Sequence, residues 1–290
     1  MKVKLSPSPF VKMYFFVLNI CLFSVSAHAG QPVLAAERRI VSLAPSTTEW
    51  IVALGLESQL RGTTEQCDFP PQVRNTPKVG SYLRGSMERI LALRATDVVV
   101  AEPLPEVMRR RLEASGVRLH EFAPQRLVDF PTHIRKLGVA LGVPQAGEQW
   151  SLKFRQAMES TAHDFLQSKR SPRRALMFVS VEPVYIVGHT QWLSDLFRLS
   201  GFENAFNDAR IKDNFPRISF EVLSRFEAQV WFAFNSGDTT KDLQQKQLTL
   251  LSQKISRSSK PAIRILPADI FQRPGPRLLD AMTQLKGGAL

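Results

Sequence analysis

Two segments of this chain repeat one pattern at a constant offset of 133 positions, and that repeat limits the folds open to it. In the first, Ser86 and Glu88 open a short helix pattern, carried on by Ile90, Leu93 and Ala95, that runs into Val98, Val99 and Val100. In the second, Ser219, Glu221, Leu223, Phe226 and Ala228 fall in the same phase ahead of the apolar run from Val230 to Phe234. The apolar positions alone suit any amphipathic helix that leads into a buried strand. A serine and a glutamate at the same phase of both points instead to two similar lobes.

The rest of the chain alternates strand and helix signals around these segments. Arg39 to Leu43 reads as a first buried strand, Ala44–Pro45 as a turn, and Trp50 to Leu54 as a helix stopped by Gly55. Ser46 followed three residues later by Glu49 has the spacing of a capping box. Leu60 to Thr64 is a short strand, Cys67 to Pro71 a turn-rich loop, and Tyr82 lies on a loop bounded by Gly80 and Gly85. A helix from Glu106 to Ser115, a strand from Val117 to Phe122 and a helix from Ile134 to Leu141 complete the first lobe.

From Gln145 to Ser168 the pattern becomes one long helix, with Trp150, Phe154, Met158, Ala162 and Phe165 at three- and four-residue steps. Such a helix spans roughly 35 Å, enough to run rigidly from one lobe to the next. The second lobe restarts with strands from Arg174 to Ser180 and from Val184 to Val187, then a helix from Trp192 to Leu199 and a polar loop from Asn204 to Pro216. A last strand from Ile263 to Leu266 feeds the loop Asp269 to Arg277 and a helix from Leu278 to Leu285. The expected architecture is α/β: two similar lobes, residues 38–143 and 171–290, joined by a rigid helix over residues 144–170.

The N-terminal residues read as an export signal. Lys2, Lys4 and Lys12 form a basic start, Met13 to Val25 is almost wholly apolar, and Ala27–His28–Ala29 supplies small residues around a cut expected after Ala29. The apolar run is shorter than the roughly twenty residues that span a bilayer. Ile20 before Cys21 does not suit a lipid-anchored form. Cys21 leaves with the signal, so the exported chain keeps only Cys67 and forms no internal disulfide. Cys67 itself reads as a partly buried small apolar residue.

The net charge of +12 falls to about +9 without the three signal lysines. Export, and the lack of a basic helix with interleaved aromatics, argue against nucleic acid as the partner; a basic surface favours an anionic ligand. His120, His133, His163 and His189 have no ligand-like spacing, and there is no paired-cysteine motif, Walker loop, Rossmann fingerprint or G-x-S-x-G elbow. Nothing supplies a nucleophile with its base, so the chain reads as a non-enzyme without a resident cofactor.

Five segments, taken in order, carry a family resemblance: RIVSLAPSTTEWIVALG, CDFPP, KVGSYLRGSMERILALRATDVVVAE, FPRISFEVL and ADIFQRPGPRLLDA. The chain resembles the helical-backbone periplasmic binding proteins of metal-chelate importers, most nearly those for cobalamin; ferric-siderophore and haem binders share the fold. The resemblance implies a monomeric, periplasmic protein that holds a cobalt or iron chelate in a cleft between two lobes with little closure. It implies that Glu88 and Glu221 dock into the permease dimer of an ABC importer, where two carboxylates on rigid lobes fix orientation.

For the pocket, the resemblance sets Tyr82 and Phe215 where large aromatics pack on the chelate, and Asp269 and Arg273 at polar positions. Gln66 and Glu102 stand at the pocket mouth where the cobalamin binders have further aromatics, and the disulfide of their second lobe has no cysteines here. Haem-binding relatives use a tyrosinate as axial iron ligand; Tyr82 reads first as a stacking or rim residue. An exported α/β enzyme, or a sensor presenting its ligand to a membrane receptor, stands as the alternative from another class.

Overall fold

The computed structural model describes residues 38–82, 84–208, 210–237, 239–255 and 260–286; the expected signal and its cut after Ala29 lie outside them. Residues 38–290 form one compact unit. Its first sheet is wholly parallel, built from β1 (Ile40–Ser42), β2 (Leu60–Gly62), β5 (Asp97–Val100) and β6 (Arg118–Glu121) in the order β2-β1-β5-β6. Between β2 and β5 a small antiparallel hairpin, β3 (Gly80–Ser81) and β4 (Arg84–Gly85), carries Tyr82 at its turn. Helices α1 (Pro45–Ala53), α2 (Met87–Ala92), α3 (Glu106–Ala114) and α4 (Phe130–Ala140) complete this half.

The long helix α5 (Pro144–Gln167) follows, 24 residues long. The second sheet contains β7 (Arg173–Val181), β8 (Val184–Ile186), β9 (Phe202–Asn204), β10 (Val230–Asn235) and β11 (Ala262–Pro267), in the order β11-β10-β7-β8 with β9 beside the start of β7. Its helices are α6 (Trp192–Leu199), α7 (Phe220–Leu223), α8 (Lys241–Ile255), α9 (Ala268–Phe271) and α10 (Leu278–Leu285). Only β8 runs antiparallel to its neighbour.

Each sheet gives one face to a private core and the other to a shared one. Val98 and Val100 of β5 pack with Val41, Leu43, Ile90 and Leu112, while Val99 points the other way. In β10, Trp231 and Ala233 pack with Leu176, Phe178 and Leu223, while Val230, Phe232 and Phe234 face the shared core. That shared core joins Trp50, Phe122 and Phe130 to Phe154 of α5 and to Trp192, Phe197 and Phe271 of the second half. Phe130 stacks on Phe154 at 5.0 Å and meets Trp192 edge-on at 5.7 Å. Strands covered on both faces explain why the chain reads as continuous apolar runs rather than alternating ones.

The repeat has a structural counterpart. Ser86 and Ser219 each cap their helix, the hydroxyl accepting from the backbone N–H of Arg89 and of Val222 at 3.3 Å. Each capped helix leads into a strand that lies between two parallel neighbours, β5 in the first sheet and β10 in the second. Helices α4 and α5 cross at glycines: a Cβ on Gly138 would fall 2.6 Å from the Cα of Gly147, so neither position admits a side chain without parting the helices.

Four sequence expectations need correction. Ser46 does not cap α1, whose N-cap is Ala44 with Pro45 in its first turn, and Glu49 is turned away to bind Arg277. The stretch read as beginning a polar loop at Asn204 ends strand β9, which has an exposed glutamate at its centre and pairs only with Arg173, Arg174 and Ala175. Helix α8 was not expected because its buried face mixes Gln244 and Ser252 with Leu248 and Leu251, which breaks the apolar period. Cys67 is buried rather than partly so.

Candidate functional site

The carboxyl ends of β2, β5 and β11 lead into the segments that carry Gln66, Glu102, Asp269 and Arg273, with Asp269 inside the short helix α9 rather than on the loop the sequence suggests. Gln66 and Asp68 follow β2, Glu102 follows β5, and Asp269 and Arg273 follow β11. Carboxyl ends of parallel strands are where open α/β sheets bind ligands, because their loops vary while the sheet holds them fixed.

Two of these residues, Gln66 and Glu102, meet Tyr82 at the β3–β4 turn. The Tyr82 backbone N–H donates to Gln66 Oε1 at 2.7 Å, and its hydroxyl donates to Glu102 Oε1 at 3.1 Å. Tyr82 remains 39% exposed, so its hydroxyl is tied down while much of the side chain is open to a ligand. Burial, and then the nearby Glu102 carboxylate that accepts its hydrogen bond, push the Tyr82 phenol well above the ordinary tyrosine range.

A second group forms where the two halves of the chain face one another. Arg273 reaches Asp68 Oδ1 at 2.7 Å and Asp269 Oδ1 at 2.6 Å, with Glu49 Oε1 at 3.8 Å. Arg277 grips Glu49 through Nε at 3.0 Å and Nη2 at 2.6 Å, and its guanidinium lies 4.2 Å from the centre of the half-exposed Phe69 ring. Trp50 Nε1 donates to the Pro274 carbonyl at 2.9 Å. Burial drives the Glu49 carboxyl up against the pull of Arg277, whereas at Asp68 the Arg273 hydrogen bond and charge outweigh burial and hold the carboxyl low. Carboxylates and guanidinium N–H groups side by side present both acceptors and donors to a ligand rim.

The loop that bears Gln66, Asp68 and Phe69 is held from behind. Lys78 Nζ donates to Thr63 Oγ1 at 2.9 Å and to the Cys67 carbonyl at 3.1 Å. Cys67 lies within a buried hydroxyl network: Thr48 and Thr64 sit 3.1 Å from its sulfur, and Thr48 in turn bonds Ser42 at 2.8 Å. Buried polar groups that are mutually satisfied specify one arrangement of the loop. Across the halves, Arg126 grips Asp195 at 2.6 and 2.7 Å, and Asp195 also accepts the Leu127 N–H at 3.2 Å. Together with the shared core, these ties oppose hinge motion.

Phe215 is 42% exposed and has no ring partner among the described residues. Its loop is fixed by the Ile186 N–H to the Pro216 carbonyl and the Gly188 N–H to the Asn214 carbonyl. Glu88 and Glu221 are exposed in the first turns of the two capped helices. Glu221 pairs with Arg225 at 3.1 Å on a surface where both are mostly solvated. Sequence reasoning missed Glu49, Asp68, Phe69 and Arg277. The Arg273-to-Arg277 spacing around Pro274–Gly275–Pro276 was visible, but the partners lie more than two hundred positions away. Among the described residues no group of His, Cys, Asp and Glu could hold a metal ion, and no helix is long and apolar enough to cross a membrane.

The chain is 27% identical over 253 residues to a vitamin B12-binding protein of Vibrio cholerae, covering 85% of this chain and 87% of that one. In three dimensions it is similar to the periplasmic vitamin B12 binding protein BtuF of Vibrio cholerae, with a TM-score of 0.68, 26% identity and coverage of 86% and 94%. It is also similar to the periplasmic heme-binding protein RhuT from Roseiflexus, with a TM-score of 0.71, 26% identity and coverage of 86% and 96%. These relatives are two-lobed binding proteins, and the mixed α/β fold with parallel sheets agrees with theirs. A family model for periplasmic binding proteins matches residues 40–253, so the chain belongs to the periplasmic binding protein family.

Proposed function

We propose that the chain is a periplasmic solute-binding protein that captures a metal chelate between its lobes and delivers it to the permease dimer of an ABC importer, and that the chelate is a cobalamin-like corrinoid. A ferric siderophore is the broader member of the same class. The observation that carries the ligand is the group around Arg273, whose guanidinium stands between Asp68 and Asp269 at 2.7 and 2.6 Å. A rim of primary amides, such as a corrinoid carries, both donates and accepts, so it matches paired carboxylates and guanidinium without displacing either. A rim of carboxylates has to compete with Asp68 and Asp269 for the same arginine. Tyr82 and Phe215 offer exposed aromatic faces for the macrocycle.

A heme-binding reading has one specific support, the likeness to RhuT. In both readings the ligand is bound and released unchanged, the protein acts as a monomer in the periplasm after removal of residues 1–29, and Glu88 and Glu221 meet the permease. A thermal-shift panel of cobalamin, cobinamide, haemin and ferric siderophores on the mature chain tests the class. A ligand at a hundred times its dissociation constant adds about 2.7 kcal/mol to stability. Stabilisation by the corrinoids supports the proposal; no shift with any chelate overturns it.

A further inference from the structure

Two of the candidate pocket residues, Gln66 and Glu102, both end on Tyr82. Gln66 takes the backbone N–H at the hairpin turn, which fixes where the ring projects. Glu102 accepts the hydrogen bond that the Tyr82 hydroxyl donates. An ionised carboxylate only accepts hydrogen bonds, so opposite a charged Glu102 this contact exists only while the phenol keeps its proton. Ionising the phenol would set two negative oxygens 3.1 Å apart, and like charges that close disfavour the ionised form. Glu102 is the charged group in hydrogen-bond reach of the phenol among the described residues.

We propose that Glu102 is a specificity-determining residue: by holding Tyr82 as a neutral phenol pinned at the pocket mouth, it denies the site a tyrosinate ligand. The pocket then takes chelates whose metal already has its ligands and disfavours a ferric porphyrin with an open axial position. A neutral phenol binds ferric iron weakly, whereas a tyrosinate donates a full anionic oxygen. Gln66 acts as a positioning residue, since without its acceptor the turn loses the bond that sets the ring's direction. This inference rests on the metal-chelate reading and narrows it to chelates whose metal is already fully ligated.

The test replaces the acceptor by a donor. Glu102→Gln keeps the shape of the side chain but offers an amide N–H that can stabilise a phenolate, and Glu102 lies outside the core, so folding is retained. Wild type, Glu102→Gln, and Glu102→Gln/Tyr82→Phe are mixed with haemin, and the visible spectrum is read for the ferric–tyrosinate charge-transfer band. The expected result is no such band in wild type, its appearance in Glu102→Gln with at least tenfold tighter haemin binding, and its loss in the double variant. A band in wild type that disappears in Tyr82→Phe overturns the inference, as does a Glu102→Gln variant without one. Cobalamin binding by the wild type, measured alongside, keeps the two claims apart. A wild type that binds cobalamin while Glu102→Gln gains no band sinks this inference alone, whereas a wild type that binds no chelate sinks the parent reading.

Discussion

Glu49 and Arg277 form a two-pronged ion pair, at 2.6 and 3.0 Å, that joins the first helix of the fold to the loop before its last. Glu49 is 1% exposed at its side chain and Arg277 15%, so neither charge is left to water. Removing one partner strands the other: Glu49→Gln is expected to cost about 3–5 kcal/mol. Glu49→Leu/Arg277→Met should fold with smaller loss, because it removes both desolvated charges together. Urea unfolding of the two variants and the wild type measures both effects.

Asp97 ties the stability of the first sheet to acid pH. Its carboxylate is fully buried and accepts from Arg38 and Arg118 at 2.9 Å, from Thr96 at 2.7 Å, and meets His120 Nε2 at 2.8 Å. Burial works to raise its pKa, but the bonds from His120, Arg118 and Thr96 win and depress it well below the ordinary 3.8. The unfolded chain therefore binds this proton first, and the stability contributed by Asp97 is present above pH 3.8 and lost as pH falls below it. Asp97→Asn should lower the melting temperature at pH 6 and flatten its decline between about pH 4 and pH 2. Glu49, raised by burial, acts in the opposite sense and above pH 4.5, so the two windows separate.

How much of this was legible in the sequence divides by range. Local pattern revealed the lobes: the Ser86 and Ser219 caps, the strands after them and the long helix follow from residues within a turn or two of each other. Glu49 shows the limit. Its spacing from Ser46 matches a capping box, but a partner 228 positions away claims the carboxylate, and no local rule contains that partner. Helix α8 was hidden for a related reason: Gln244 is buried because it satisfies Asn235 and the Phe234 carbonyl, a polar fit invisible to hydrophobic periodicity. At the site, Gln66 and Glu102 looked like substitutions for aromatics; only the hairpin geometry brings both onto Tyr82.

Arg126 and Asp195 latch the halves at a second point. Arg126 is 44% exposed at its side chain, so solvent screens the pair and Asp195→Ala should cost only about 1 kcal/mol. The larger effect is local. Hydrogen exchange at the Leu127 amide, which donates to Asp195, is expected to quicken by tenfold or more while amides of β5 stay protected.

The proposed docking to a permease rests on charges that contribute little to folding. Glu88 and Glu221 are exposed, so Glu88→Arg/Glu221→Arg should leave the melting temperature and chelate affinity within error while uptake in cells falls at least tenfold. Uptake at the normal rate with normal ligand binding would remove these residues from the interface.

Calorimetric titration of the mature protein with cyanocobalamin, set beside Arg273→Ala and Tyr82→Ala, tests the central claim most directly. One site per chain is expected in the wild type. Arg273→Ala should weaken it about 10- to 100-fold by removing charge-assisted contacts to the rim, and Tyr82→Ala by about tenfold through lost stacking area. A wild type that takes up no corrinoid, or variants that bind as tightly as the wild type, would contradict the account.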